Sequence, residues 1–521
     1  MRPQQARVLS WLLPALLAGM GCILILARTA QGPGTTGDSV SYVMGAQSLL
    51  QGEGYSRLSG GGEHLPITGF PPGYSAILAA VSAVGGDPYQ MARILNAVLF
   101  GLNIFLAGII VSRSTRSWLA ASLASAFLLL SDDLIHIHSW VMSEGLFVFW
   151  MLLGFLLLEA CLVSSGWMLA GFVGLTAAAA TLTRYVGLSV AAAQGLALLL
   201  LGTAPHRRRW VQAIVFTLAG AIPVLVWFGR NAVLAGTATN RGLGYHPLEP
   251  ALVTAFLGTA NAWFFPLALG IPRALRAAIS VALMLGVGVA FILAADHDRR
   301  HPADPDLRQR RIIPWLMVFF LPAYGAILLA NSMFLDASTS PSGAARYLSP
   351  AYIGLVVFLV TAGHYLYTRR APRSWMRSLA GSLAVFFLLL HAVQASMFGV
   401  FSPPNLGYTD IRRSMPSTIA ELQQVGEDRL LIANNVELIY VLTGRPAYAL
   451  PIVFDHYRQV YREDFAQQIQ LNRQRLADGA LILIYGAPDE FEQVALDQLD
   501  VVPIREFPKI TVYADPQAQI P

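Results

Sequence analysis

The run Arg7-Val8-Leu9-Ser10-Trp11-Leu12-Leu13-Pro14-Ala15-Leu16-Leu17-Ala18-Gly19-Met20-Gly21-Cys22-Ile23-Leu24-Ile25-Leu26-Ala27-Arg28 decides the fold class. Between its flanking arginines lie about 20 uncharged residues, and a helix of that length crosses a hydrocarbon core of about 30 Å. Apolar runs of about 18–25 residues recur from Val8 to Ala395, each long enough to span. They are continuous, whereas the strands of a membrane barrel alternate. Of the 521 residues, 55% are hydrophobic and only 12% charged, about half the charge a soluble protein carries. The expected architecture is mainly α. A polytopic transmembrane helical bundle of about eleven spans covers residues 1–397, and a small α/β domain covers 398–521.

The first run is longer than the apolar core of a cleaved signal peptide, and Ala27-Arg28-Thr29-Ala30 is a poor cleavage site, so it reads as a retained span. The net charge of +5 comes from arginines in short loops. That is the topology signal of membrane proteins and gives no reason to expect a nucleic-acid partner. Cys22 and Cys161 each sit in an apolar segment and read as small core residues, and they suggest no disulfide framework or cysteine metal site.

Basic loops fix the expected sidedness. Arg2 and Arg7 put the N-terminus in the cytoplasm, so the polar loop 28–70, with Asp38, Tyr42, Tyr55, Arg57, Glu63 and His64, lies outside. After Phe70-Pro71-Pro72-Gly73-Tyr74, the piece 74–84 is too short to span and reads as interfacial. Spans follow over 89–112, 117–131, 143–165, 167–182, 186–202 and 210–228. Residues 251–270 and 274–295 cannot both span, because the arginine-rich loop 296–311 would then lie outside. Asn261, Trp263 and Pro266 mark 251–270 as the interfacial piece. Spans over 274–295, 313–330, 350–368 and 376–395 complete the count, with an outer loop 331–349 holding Asp336, Arg346 and Tyr347. The tail then lies outside. It begins with a linker, Ser402-Pro403-Pro404-Asn405, and reads as helices over 409–424, 436–442, 464–477 and 488–499, with strands over 429–433 and 480–485.

Several residues could carry chemistry. Asp38 is either a loop carboxylate capping a helix over 39–50 or a functional acid, and Tyr42 lies one turn further on the same face. Glu144, at the start of a span, is either a partner of the helix dipole or a buried carboxylate facing a cavity. Asp132-Asp133 with His136 and His138 is either a solvated turn or a set of metal ligands. Arg184 and Arg346, on the side that bears Asp38, either snorkel to headgroups or bind a phosphate.

Asp38 with Tyr42, Gly52-Glu53-Gly54-Tyr55, Phe70-Pro71-Pro72-Gly73-Tyr74, Ser143-Glu144, Thr183-Arg184 and Arg346-Tyr347, in this order and on one side, resemble the GT-C superfamily of polytopic glycosyltransferases. The likeness is strongest to the group containing protein O-mannosyltransferases and lipid A aminoarabinose transferases. It implies a GT-C-like multi-pass protein of the plasma (inner) membrane that moves a sugar, with inversion, from a polyprenyl-phosphate donor to an acceptor hydroxyl on a lipid, glycan or protein. The resemblance makes Asp38 the general base, and it gives substrate-binding roles to Tyr42, Tyr55, His64, Tyr74, Glu144, Arg184, Arg346 and Tyr347. No cofactor or metal is predicted. Many relatives carry a second acid beside the first; here Ser39 follows Asp38, so a second carboxylate has to come from Glu144 or Asp132. The rival readings are a polytopic transporter, against which the lack of an internal repeat counts, and an inactive binder of lipid-linked sugars.

Overall fold

The computed structural model describes residues 3–202, 204–266, 270–300, 305–335, 340–369, 374–400, 405–425, 428–455 and 460–517. Arg2, Asp336 and the linker residues Ser402, Pro403 and Pro404 lie outside the described residues. The chain opens with α1 (Pro3–Arg28), α2 (Gly37–Leu50), the hairpin β1 (Ser56–Leu58) and β2 (His64–Pro66), and α3 (Gly73–Ser82). It continues with α4 (Pro88–Thr115), α5 (Trp118–Leu129), α6 (Asp132–His138), α7 (Glu144–Ser164), α8 (Trp167–Thr183) and α9 (Leu188–Leu201). Then come α10 (His206–Ala235), α11 (Pro250–Ala262), α12 (Arg273–Arg300), α13 (Pro305–Arg310), α14 (Ile312–Phe334), α15 (Ala344–Arg369) and α16 (Ser374–Gln394). Among the described residues, seven helices are long and apolar enough to cross a membrane, or eight when α5 and α6, bent by 62°, are taken as one broken span. α8, α9 and the end of α16 are shorter apolar helices.

The basic loops expected on one side do meet. Ser114 donates to the Arg310 carbonyl at 3.2 Å, Gln309 donates to Glu159 at 3.0 Å, and Arg369 pairs with Asp298 at 2.7 Å. α11, with 13 residues, is about 20 Å long and falls short of a span, which keeps the arginine-rich loop on this face. On the opposite face lie α2, the hairpin, α3 and the tail.

Four expectations need correction. The first outer helix starts at Gly37 with Thr36 as its N-cap, so Asp38 lies in the first turn rather than at the cap. The Thr36 N–H donates to Ser39 Oγ at 3.0 Å; Ser39 therefore holds the helix start, which leaves the Asp38 carboxylate free of capping duty. Arg346 and Tyr347 are not in a loop, because α15 begins at Ala344. The helix expected over 409–424 breaks into α17 (Tyr408–Ser414) and α18 (Pro416–Gln424), since a residue before proline avoids helical backbone and Met415 sits at φ −132°, ψ 45°. The tail also ends in a strand pair that the sequence reading missed.

In the tail, β3 (Leu431–Ala433), α19 (Val436–Thr443), β4 (Tyr448–Ala449), β5 (Phe454–Asp455) and β6 (Val460–Tyr461) precede α20 (Phe465–Ala477), β7 (Leu481–Tyr485), α21 (Glu490–Leu499), β8 (Val502–Phe507) and β9 (Ile510–Ala514). The main sheet runs β4-β3-β7-β9-β8, parallel through β4, β3 and β7 and antiparallel beyond. Its apolar strands are buried on both faces between helices, as an α/β layer requires.

The bundle core is built by close helix contact. α1 lies along α4, where a Cβ on Gly101 would strike Cys22 Sγ and stand 2.9 Å from the Ala18 carbonyl. Small residues at such crossings let dispersion replace the hydrophobic drive that lipid cannot supply. Gly101→Leu should force α1 off α4 and lower the unfolding midpoint in detergent by several degrees or more. An unchanged midpoint would show that the crossing does not support the bundle.

Candidate active site

Four charged side chains, three from separate helices and one from the junction after α8, meet on the tail-bearing face. Glu144 opens α7 and is 1% exposed. Its Oε1 accepts from Arg184 Nη1 at 2.6 Å and from Arg346 Nε. The second carboxylate, Asp38 in α2, takes Arg346 Nη2 on its Oδ2 at 2.6 Å. Arg184 occupies the extended residue between α8 and the 3-10 turn Tyr185–Gly187, while Arg346 lies in the first turn of α15. A buried carboxylate costs several kcal/mol to desolvate and persists only when paired. Two guanidiniums supply that pairing, and the Glu144 Oε2 atom stays buried without a hydrogen-bond partner among the described residues.

Exposure rises outward through the cluster, from 1% at Glu144 to 31% at the Asp38 side chain. Asp38 is therefore the acid that an incoming molecule meets. Each arginine keeps donors beyond those engaged here, since a guanidinium carries five N–H groups.

Local packing holds this arrangement. Tyr42 pairs with Ser143 Oγ at 3.0 Å, and Arg184 donates to the same oxygen at 3.1 Å. Ser143 precedes α7 without capping it, its hydroxyl engaged instead by these two groups. Burial, with Asp38 beside it, pushes the Tyr42 phenol up to about 12, so Tyr42 stays protonated and acts as a hydrogen-bonding group rather than a base. Its ring packs edge-on against Phe70 and Tyr74, at 5.5 and 5.1 Å. Tyr74 donates to Asn96 at 3.1 Å, and Asn96 donates to the Trp140 carbonyl just ahead of Ser143. Tyr324 of α14 donates to the Tyr347 carbonyl at 2.6 Å, which pins the first turn of α15.

Of the residues expected from sequence, Asp38, Tyr42, Glu144, Arg184 and Arg346 come together here, with Tyr74 one layer beneath. Tyr55 stands to the side against Trp227, its hydroxyl 3.4 Å from the Pro71 carbonyl. His64 lies in the hairpin, where its Nδ1 meets Ser56 at 3.2 Å and Ser48 at 3.5 Å. Tyr347 packs its ring on Phe256 and near the Arg346 guanidinium.

Asp132 and Asp133 line a separate cavity of about 260 Å³ with Trp263, Tyr352 and His391. The second carboxylate of the cluster is thus Glu144. His138 bonds the Leu134 carbonyl at 2.7 Å and faces Asn103 at 3.3 Å, so both its ring nitrogens serve packing. Among the described residues no group of three His, Cys, Asp or Glu side chains is placed to hold a metal. Ser143 and Tyr324 are members of the site that the sequence reading left out. Ser143 stood beside Glu144 in a quoted motif, whereas nothing local marks Tyr324.

Glu144→Ala would leave two guanidiniums with no carboxylate between them. Breaking a buried pair this way costs about 3–5 kcal/mol, whereas a part-exposed pair such as Asp38–Arg346 is worth about 1 kcal/mol. Thermal unfolding in detergent should therefore show a large loss for Glu144→Ala and a small one for Asp38→Asn. Equal losses would deny Glu144 its central place.

Comparison with known proteins agrees with this architecture. Residues 49–233 match the family described as dolichyl-phosphate-mannose-protein mannosyltransferase, a span that includes Glu144 and Arg184 but not Asp38 or Arg346. No curated protein matches the chain. In three dimensions the chain is similar to ArnT from Cupriavidus metallidurans in the apo state, with a TM-score of 0.58 and 13% identity over 96% of this chain and 97% of that one. The same protein bound to undecaprenyl phosphate gives 0.54 at 13% identity, with the same coverage. The oligosaccharyltransferase of Archaeoglobus fulgidus, tethered with an acceptor peptide, gives 0.51 at 11% identity over 91% of this chain and 69% of that one. The chain is thus a multi-pass membrane protein similar in fold to ArnT, and over residues 49–233 it resembles the mannosyltransferase family.

Proposed function

We propose that the chain transfers a sugar from a polyprenyl-phosphate donor to an acceptor hydroxyl at the extracytoplasmic face of the plasma (inner) membrane, with inversion. The observation that carries this reading is the cluster Asp38–Arg346–Glu144–Arg184, which sets an accessible carboxylate beside two cations on one face of the bundle. The bound undecaprenyl phosphate of the similar ArnT supports a lipid-phosphate donor.

In this mechanism the acceptor hydroxyl gives its proton to Asp38 as its oxygen attacks the anomeric carbon. The bond from that carbon to the phosphate oxygen breaks, and the electron pair leaves with the polyprenyl phosphate. A phosphate leaving group needs no proton from an acid. It needs charge compensation, which the spare N–H donors of Arg184 and Arg346 supply. Arg346 also orients Asp38, while Glu144 keeps both guanidiniums in place. Tyr42 and Tyr74 line the floor beneath. Tyr55, His64 and Tyr347 stand further out, where they would meet the rest of the substrates. The tail, residues 398–521, is a separate extracytoplasmic domain in this reading, and the spans number about eleven.

With purified protein and a radiolabelled polyprenyl-phosphate sugar, Asp38→Asn should lower kcat by about 100-fold or more, as loss of a general base does, with donor affinity kept. Substantial residual turnover would remove its role as the base. Arg184→Ala should weaken undecaprenyl phosphate binding by about tenfold or more, the worth of a charge-assisted hydrogen bond. Unchanged affinity would take the phosphate away from this residue. A tag on the C-terminus should be labelled from outside intact cells by an impermeant reagent, and protection there would reverse the topology.

A further inference from the structure

The tail domain is not merely appended. Thr35 and Gly407 form a β-bridge, the Thr409 hydroxyl donates to the Pro33 carbonyl at 2.7 Å, and Tyr440 donates to Gln47 at 3.2 Å. Val40 and Met44 of α2 share an apolar cluster with Val441, Tyr408 and Tyr440. The same helix that carries Asp38 is thus the surface on which the tail docks.

Beside this contact lies a cavity of about 160 Å³ that the mechanism above does not use. Its floor is Val40, Ser41 and Met44 of α2. One wall is the hairpin, with Arg57, Leu58 and Ser59. The other wall is the tail, with Glu437 of α19 and Tyr448 of β4. Ser41 comes three residues after Asp38, on the same side of the helix. Glu437 is closer still: a Cβ on Gly37, the residue before Asp38, would stand 3.7 Å from Glu437 Cγ and 3.8 Å from its carboxyl carbon. The cavity therefore opens along α2 within about one turn of Asp38, on a neighbouring side of the helix, and Asp38 itself does not line it.

Its chemistry is distinctive. Arg57 and Glu437 face each other at 3.9 Å, beyond hydrogen-bond length, with side chains 47% and 29% exposed. Both retain donors and acceptors for a guest. Ser41 and Ser59 add hydroxyls, while Tyr448, Met44, Leu58 and Val40 add apolar faces. A pyranose ring presents the complement, with hydroxyls around its edge and C–H groups on its faces. The hairpin turn closes the cavity because Gly60 and Gly61 lie flat on Tyr448; a Cβ at either would run into that residue. Arg475, stacked 3.5 Å from the Tyr448 ring centre, backs it from the tail side.

We propose that this cavity is a pyranoside subsite for the acceptor, built jointly by α2, the hairpin and the tail, with Glu437 and Arg57 as its hydroxyl-reading pair. It rests on the reading of Asp38 as the base. The donor phosphate then approaches from the Arg184–Arg346 side, while a sugar unit of the acceptor rests on the Glu437 side, about one turn along α2 from Asp38. The tail domain acquires a function: it supplies half of the acceptor pocket.

The test reads binding without turnover, so it fails separately from the proposed activity. Saturation-transfer NMR is measured from the full chain in nanodiscs to methyl α-mannopyranoside, methyl β-glucopyranoside and methyl β-galactopyranoside, with sorbitol as an acyclic control. At least one pyranoside should receive saturation above sorbitol. That signal should fall by about threefold or more in both Glu437→Gln and Arg57→Ala, the loss of a hydrogen bond to a charged group, and should persist in Arg184→Ala. Both altered residues are part-exposed, so unfolding midpoints matching the unaltered chain confirm intact folds. Transfer to no pyranoside, transfer equal to sorbitol, or transfer unaffected by the two substitutions would overturn the subsite.

Discussion

A carboxylate held between two guanidiniums organises the functional face of this protein. Glu144 is almost fully buried, and neither it nor Arg184 and Arg346 could be placed there alone. Because the three residues belong to α7, the α8–α9 junction and α15, the ion cluster also dictates where these helices end relative to one another. Asp38 then joins through Arg346, which brings α2 to the same point. The arrangement grades from a buried, charge-compensated interior to a part-exposed acid at its rim.

The second constraint is the docking of α2. One end of this short helix is fixed by Thr36 and Ser39, its apolar face packs on Tyr55, Tyr74 and the tail, and its Tyr42 hydroxyl reaches Ser143. Ser39, which follows Asp38 where the resemblance leads one to expect a second acid, thus has a local role. A serine there completes the helix start, and the partner carboxylate is delivered by another helix. The same docking turns a polar tail into a wall of the site. The bundle and the α/β layer are separate cores by their packing, yet the hairpin turn at Gly60–Gly61 and the ring of Tyr448 interlock too closely for either to be indifferent to the other.

On the opposite face arginines near the helix ends pair with carboxylates of neighbouring helices, as in the Arg113–Glu159 and Arg369–Asp298 pairs. Charge is thereby gathered at the two ends of the bundle and kept out of its middle, where lipid offers no solvation. α11 obeys the same rule. Its apolar residues are too few to cross, so it stays at one level and preserves the sidedness of the arginine-rich loop after α12.

The sequence by itself determined the membrane bundle, the order and approximate ends of its helices and the gathering of the basic segments at one end, because continuous apolar length and loop charge are local quantities. It also pointed to Asp38, Tyr42, Glu144, Arg184 and Arg346, through position beside spans and a resemblance carried by short motifs. Only the tertiary structure decided that Arg346 is shared by two carboxylates, and that Glu144 rather than Asp132 stands in one ion cluster with Asp38. It alone set His64 and Tyr55 apart from the ionic cluster and put Glu437, hundreds of residues along the chain, against the helix of Asp38. The reason is physical. A pairing between distant residues depends on helix crossings and chain returns summed over the whole bundle, and no single stretch of sequence contains that sum.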